Sequence, residues 1–218
     1  MKIGIFGAGN VGRALGKLLV DAGHEVMFTF VRDSEKLRKF IESIGSRISY
    51  GAPDETVRFA DVVFLAVPWW TVRAALRSGA PWFDRVLVDC TNPFKQDFSS
   101  VDIGDSDIAA KLIEHWTRDA SVVKAFNTLS ASVLEEEGGA LARNPPVIFY
   151  CGDDTHAKQV VAGLISDCRF KPMDTGVLSD ARFQEPRGPL YQRVLRYDEA
   201  VRVLKQLGLY HSESGLAA

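Results

Sequence analysis

Long apolar runs are missing from this chain of 218 residues, and so is any excess of charge: 26 Lys and Arg stand against 28 Asp and Glu, a net charge of −2. The first absence leaves nothing near the ~20 apolar residues of a spanning helix. The second leaves no basic face for a nucleic acid and no polybasic segment for a membrane surface. Cysteine is scarce, with only Cys90, Cys151 and Cys168 and no C-x-x-C spacing, which excludes a disulfide framework and fits a reducing compartment. The four histidines are scattered. His24 falls in a turn, His115 and His211 have no partner in any motif, and Cys151-Gly152-Asp153-Asp154-Thr155-His156 has the form of a strand end before a capped helix rather than a metal site. The chain has no repeat, low-complexity tract or linker. A hydrophobic share of 46% is enough for one sizeable core. The expectation is one cytoplasmic domain over 1–218, with a core over about 1–150 and a C-terminal segment over about 151–209 that walls the substrate. The first strand starts at Lys2, which leaves no room for a signal peptide.

The most specific local pattern lies at the start. Lys2–Phe6 reads as a buried strand and runs directly into Gly7-Ala8-Gly9-Asn10-Val11-Gly12, which opens a helix ending near Ala22. Strand, glycine loop and helix in that order are the setting a dinucleotide site requires. Gly7 permits the tight turn, Gly9 leaves space for a pyrophosphate to approach the backbone, and Gly12 lets the helix lie close to the strand. The helix N-terminus then offers free N–H groups to the phosphates. The competing reading is a plain strand-to-helix turn.

The end of the second strand selects the dinucleotide. An NAD site carries Asp or Glu about 20 residues after the last glycine. Counting from Gly12 reaches Arg32, whose fixed fork suits a 2′-phosphate, and Lys36 follows one helical turn on. NADP is therefore preferred over NAD. The rival is Asp33, a ribose ligand if the strand runs one residue longer, or an N-cap for the next helix, with Ser34 as the alternative cap.

Short apolar strands alternate with helical stretches along the chain, the pattern of an α/β fold with a Rossmann-like, doubly wound parallel sheet. Strands are expected at Lys2–Phe6, Glu25–Phe30, Val62–Val67, Arg85–Cys90, Ser121–Phe126 and Val147–Cys151. Helices are expected at Val11–Ala22, Ser34–Ser43, Trp70–Arg77, Asp107–Trp116 and Thr155–Ser166. Ligands of open α/β sheets lie beyond the carboxyl ends of the strands. Those ends read Val67-Pro68-Trp69-Trp70, Asp89-Cys90-Thr91-Asn92 and Lys124-Ala125-Phe126-Asn127-Thr128. Pro68 fixes the backbone along the cofactor, and one tryptophan can lie against a flat ring while Trp70 fits better as core. Asn92 and Asn127 offer amides to ribose or nicotinamide, although turn asparagines need no ligand. Cys90 has no neighbouring histidine motif. No acid–base pair is visible, as expected where donor and acceptor carbons are simply held ~3–3.5 Å apart.

Taken together, GIFGAGNVG, FVRDSEKL, LAVPW, DCTNPF, VVKAFNTLSA, YCGDD and GVLSDARFQEP resemble the NADPH-dependent oxidoreductases of coenzyme F420, whose fold also forms the cytoplasmic domain of the STEAP metalloreductases. The resemblance spans nearly the whole chain. It implies an NADP-dependent oxidoreductase that passes a hydride to a second flat cofactor, deazaflavin F420 or flavin, with no metal. It also implies that Arg32 and Lys36 hold the 2′-phosphate near Thr29 and Val31, that Pro68 and Trp69 lie along the cofactor, and that Asn127 to Ala131 surround the nicotinamide. The segment Gly176–Arg182, with Leu178, Ser179 and Arg182, would border the acceptor. Val31 and Asn127 depart from the archaeal F420 enzymes, which carry serine and histidine there; the STEAP-like version carries asparagine.

A short strand near Phe170–Met173 precedes that wall. After Pro186-Arg187-Gly188-Pro189 an amphipathic helix is expected, with Leu190, Val194, Leu195, Val201, Leu204 and Leu207 forming a core stripe or a homodimer contact. Two other functions fit the glycine loop: a non-catalytic NADP-sensing module, and an imine or carbonyl reductase, which would need an added helical domain.

Overall fold

The computed structural model describes residues 1–30, 34–79, 81–138 and 144–210. Its sheet runs in the order β3-β2-β1-β4-β5-β6-β7-β8. The strands are β1 Lys2–Phe6, β2 Glu25–Thr29, β3 Ile48–Tyr50, β4 Val62–Leu65, β5 Val86–Asp89, β6 Ser121–Ala125, β7 Val147–Gly152 and β8 Lys171–Asp174. The first six pair in parallel. Their order is that of a doubly wound dinucleotide-binding sheet, as the alternation of elements implies. β1 pairs with β2 on one side and β4 on the other, so the chain reverses its direction of growth at the end of β1. A crevice opens at such a switch point.

Parallel strands are covered on both faces, which explains why β4 is buried at all four positions. One face is closed by α1 (Asn10–Asp21), α6 (Ala131–Glu137) and α7 (Thr155–Asp167), whose Leu15, Leu19, Leu134 and Val161 meet Ile5, Phe28 and Phe64. The other face is closed by α3 (Pro53–Phe59), α4 (Val72–Gly79) and α5 (Ala109–Thr117), through Val57, Leu76 and Ile113 against Phe6, Val63 and Leu87. The remaining helices are α2 (Ser34–Ile44) and α8 (Tyr197–Leu207).

The C-terminal region departs from the expected long amphipathic helix. Only Tyr197–Leu207 is helical, while Leu190 and Leu195 enter a third apolar cluster from turns and Val194 is exposed. Pro186 and Pro189 lack the N–H a helix needs, and Arg187 and Gln192 have positive φ of 81° and 54°, which breaks the helical path. The Val147 N–H donates to the Leu195 carbonyl at 2.9 Å, so this segment edges the sheet instead.

Candidate functional site

At the switch point the three glycines do different work. Gly7 has φ 113°, and a Cβ there would lie 2.5 Å from the Ala66 carbonyl oxygen; at Gly12 it would lie 1.9 Å from the Gly7 oxygen. Those two positions exclude side chains for reasons internal to the fold. Gly9 is exposed and has ordinary backbone angles, and an added Cβ would meet nothing within 4 Å. The helix that Gly9 caps has no side-chain cap and no acidic residue in its first turn. Free N–H groups beneath open space, with no competing carboxylate, fit a pyrophosphate. Ala8 and Val11 are half-buried here and Asn10 is exposed. Arg13, which sequence reasoning passed over, ties the loop down by donating to the Ala8 carbonyl and to Asn10 Oδ1, each at 3.0 Å.

At the end of β2, buried Thr29 accepts the Gly7 N–H at 2.9 Å, so this strand end abuts the glycine loop. Val31, Arg32 and Asp33 lie outside the described residues; Lys36 stands exposed in the first turn of α2. At the end of β4, Pro68 is exposed and its carbonyl accepts from Thr71, while Val67 turns into the core. The two tryptophans differ in burial. Trp69 is buried with its ring 5.6 Å from that of Trp116; Trp70 is half-buried, edge-on to Phe98 at 5.8 Å.

The ends of β5 and β6 are joined by buried polar groups. Fully buried Asp89 accepts from Lys124 Nζ at 2.8 Å and from the N–H and hydroxyl of Thr91 at 2.8 and 2.7 Å; Lys124 also donates to the Thr91 carbonyl at 2.6 Å. Burial opposes the charge on Lys124, yet the Asp89 and Glu185 carboxylates together hold its pKa above the ordinary lysine value. Glu185 places its two oxygens 3.0 Å from the N–H groups of Ala109 and Ala110 and so caps α5. Burial pushes the neighbouring Cys90 thiol well up, which removes it as a nucleophile.

Asn92 and Asn127 meet directly. Asn92 Nδ2 donates to the Asn127 carbonyl at 3.0 Å, and Asn127 Nδ2 donates to Asn92 Oδ1 at 3.1 Å and to the Gln184 carbonyl at 2.8 Å. Asn127 Oδ1, Thr128 Oγ1 and Gln184 Oε1 are buried without a protein partner. Orphaned acceptors at a strand end call for a ligand or an ordered water. Phe126, just before Asn127, holds φ 62° although it is a buried aromatic, and Phe30 after β2 holds φ 55°. Such backbone strain gathers at sites of function. Ala131 begins α6, half-buried, behind the N-cap Ser130.

The segment expected to border an acceptor follows β7 and β8. β7 is antiparallel to β6, with Gly152 opposite Val123. Asp153 therefore lies toward the amino end of β6, and it accepts the Leu178 N–H at 2.8 Å. Leu178 is fully buried, Ser179 half-buried and Arg182 exposed over the Phe183 ring, in a 3₁₀ segment, Leu178–Phe183. Gln184 and Glu185, a few residues on, are what reach Asn127 and α5. Sequence reasoning also missed a row of aromatics on the rim: Trp70, Phe98, Phe94 and Tyr191 are linked at ring distances of 5.8, 6.2 and 6.1 Å, and Phe98 is 69% exposed. The spacing of Trp70, Phe94 and Phe98 around two strand ends was the available signal. Among the described residues no group of three or more His, Cys, Asp or Glu could hold a metal, and no helix is long and apolar enough to cross a membrane. Asp154 caps α7 by accepting the Ala157 N–H at 2.6 Å, as its sequence context implied.

Comparison with known proteins agrees with this geometry. Residues 2–93 match the family described as NADP oxidoreductase, coenzyme F420-dependent. Rat metalloreductase STEAP3 is 29% identical over 181 residues, covering 83% of this chain and 35% of that protein. The chain thus spans about a third of the length of the curated relatives it matches, human metalloreductase STEAP2 included, at 34%. Among solved structures, a hypothetical protein of Sinorhizobium meliloti superposes with a TM-score of 0.82 at 28% identity, covering 91% of this chain and 96% of that one. A protein of Arthrobacter sp. FB24 assigned as an F420-dependent NADP-reductase gives 0.74 at 26% identity, covering 84% and 87%. An imine reductase of Aspergillus terreus in complex with NADPH4 shares the fold, with a TM-score of 0.61 at 17% identity, covering 83% of this chain and 56% of that one. Residues 2–93, which hold the glycine loop and the ends of β1, β2, β4 and β5, are thus similar to the F420-dependent NADP oxidoreductases.

Proposed function

We propose that the chain binds NADP(H) along the carboxyl ends of β2, β1, β4, β5 and β6 and sets its nicotinamide against a flat acceptor, deazaflavin F420 or a flavin. Bound NADPH supplies the hydride. The glycine loop and the uncapped start of α1 hold the pyrophosphate, Arg32 and Lys36 hold the 2′-phosphate beside Thr29, and Pro68 sets the backbone along the cofactor. Asn92, Asn127 and Ala131 border the nicotinamide, and the aromatic row from Trp70 to Tyr191 gives a flat acceptor a surface of matching chemistry. Catalysis is by orientation: Asp89 is committed to Lys124 and Thr91, and the Cys90 thiol is held protonated. The observation that carries this reading is Gly9, a position where the fold itself leaves room for a side chain and only a ligand needs the space.

NADPH is expected to bind at least ~10-fold tighter than NADH, and Arg32→Ala to remove most of that preference by deleting charged hydrogen bonds worth ~1.5–3 kcal/mol. Titration of both dinucleotides by fluorescence checks this, and equal dissociation constants in the wild type would make Asp33 the ribose ligand. Stopped-flow oxidation of NADPH by F420, FMN or FAD then tests the acceptor. Tight binding with no oxidation by any of them identifies a sensing module; turnover with a cyclic imine alone identifies an imine reductase.

A further inference from the structure

Trp70, Phe94, Phe98 and Tyr191 are neighbours ring to ring, and none of the four belongs to any of the three apolar clusters that make the core. Phe98 stands apart even from the others. It is 69% exposed near the tip of a hairpin in which Phe94 bridges Val101 and the Lys95 N–H donates to the Ser100 carbonyl at 3.0 Å. Its backbone holds φ 57°, a region that an aromatic residue enters at a cost and that glycine or asparagine enters readily. The turn around it is closed by polar bonds: Asp97 Oδ1 accepts from the Ser99 N–H at 3.0 Å and from the Ser99 hydroxyl at 2.7 Å, and the Phe98 N–H donates to the Lys95 carbonyl at 2.9 Å. The Phe98 ring takes part in neither these bonds nor the core. A strained, exposed aromatic that continues an aromatic row is the mark of a contact surface.

The neighbours of Phe98 say what the surface meets. Trp70 comes two residues after Pro68, beyond the end of β4, and Phe94 comes two residues after Asn92, whose amide donates to the Asn127 carbonyl at 3.0 Å and so ties the end of β5 to that of β6. The row therefore leaves from the same strand ends as the proposed nicotinamide position. We propose that Phe98, with the Trp70 ring set at 84° to it, holds the flat ring of the acceptor, and that the acceptor is selected by its ring rather than by its tail. The proposal rests on the NADP site with a flat acceptor described above, and assigns the residue that makes the ring contact. An aromatic side chain stacks on a flat π system whatever substituents that system carries, so this contact has the same worth for a ring with or without a phosphate.

Lumiflavin, FMN and F420 serve as probes, because each carries a flat tricyclic ring and they differ in what hangs from it. Their dissociation constants are measured by quenching of their own fluorescence at saturating NADP+, on the wild type, Phe98→Asn and Phe98→Trp, with a thermal melt of each protein. Phe98→Asn suits φ 57° and removes the ring. Its Tm should equal or exceed that of the wild type, while its affinity falls by ~10-fold, the loss of one stacked ring. The fall should be by the same factor for every probe the wild type binds, since the contact is to the part they share. Phe98→Trp should bind the probes as the wild type does, and NADP+ affinity should be the same in all three proteins. Unchanged probe affinity in Phe98→Asn overturns the proposal, and a loss confined to FMN and F420 overturns it too by moving the contact to the tail. A lower Tm in Phe98→Asn, or loss of the probes in Phe98→Trp as well, makes the residue structural and overturns it equally. If sedimentation shows a wild-type dimer that Phe98→Asn dissociates without changing probe affinity, the row is a subunit contact instead. A wild type that binds NADP+ and none of the probes overturns the flat-acceptor reading itself, and the proposal with it.

Discussion

Gly9→Val is expected to cut NADP(H) affinity by more than ~100-fold while the protein stays folded. Losing two charge-assisted hydrogen bonds to the pyrophosphate removes ~3–6 kcal/mol, and every ~1.4 kcal/mol is a factor of ten in affinity. The fold itself has little at stake, because a Cβ at Gly9 meets no atom within 4 Å and the backbone there has φ −74°. The cost is a poorer N-cap, about 1 kcal/mol or less, or a Tm lower by ~2–4 °C. Gly12→Ala should do the reverse, since its Cβ would come 1.9 Å from the Gly7 oxygen and the loop must move to admit it. Thermal melts with and without NADP+ separate the two. A Gly9→Val protein that binds normally would reduce the loop to a connection between β1 and α1.

Asp89→Asn is expected to destabilise the protein by ~3–5 kcal/mol, because it leaves the Lys124 ammonium fully buried without its counter-ion. The double variant Asp89→Asn with Lys124→Met should recover much of that loss, since a buried pair replaced by uncharged groups of similar volume is often neutral. Urea unfolding of the wild type and both variants measures the difference, and a single-variant loss below ~1 kcal/mol would show that Thr91 and Glu185 carry the site without Asp89. The pH dependence has a definite sign. Lys124 has its pKa raised in the folded state. Its contribution is thus complete below the ordinary lysine pKa and is lost as pH rises through the higher folded value.

The glycine loop and the strand ends were legible in the sequence because local chemistry specifies them. β1 is Lys2–Phe6 as read, and Asp154 caps α7 as read. The short edge strand β3 went unread: Ile48 is its one buried residue and Tyr50 is 63% exposed, so it has no alternation to detect. α3 was missed despite Pro53 at its first turn with Asp54 and Glu55 beside it, a start signal that a seven-residue helix follows only briefly. α6 is likewise absent from the expected helices, although Ser130 caps it. The sense of β7 could not be read at all, since buried strands look alike in either direction. Nor could the contact of Gln184 with Asn127, 57 residues apart in the chain, be read. Which of Trp69 and Trp70 is the more covered could not be read either, since neighbouring residues on a 3₁₀ turn face different ways and Trp69 meets Trp116, a distant residue on α5.

The strand order also sets a length. Between β2, where Thr29 abuts the glycine loop, and β6, which delivers Asn127, lie β1, β4 and β5. Four inter-strand steps of about 4.8 Å make a span of about 19 Å. A molecule touching both ends must be that long and must turn its two recognition groups to the same side of the crevice. The sheet is in this sense a ruler: half-molecules such as 2′,5′-ADP or a nicotinamide mononucleotide fill one end and leave the other empty, and only a tethered pair gains from both.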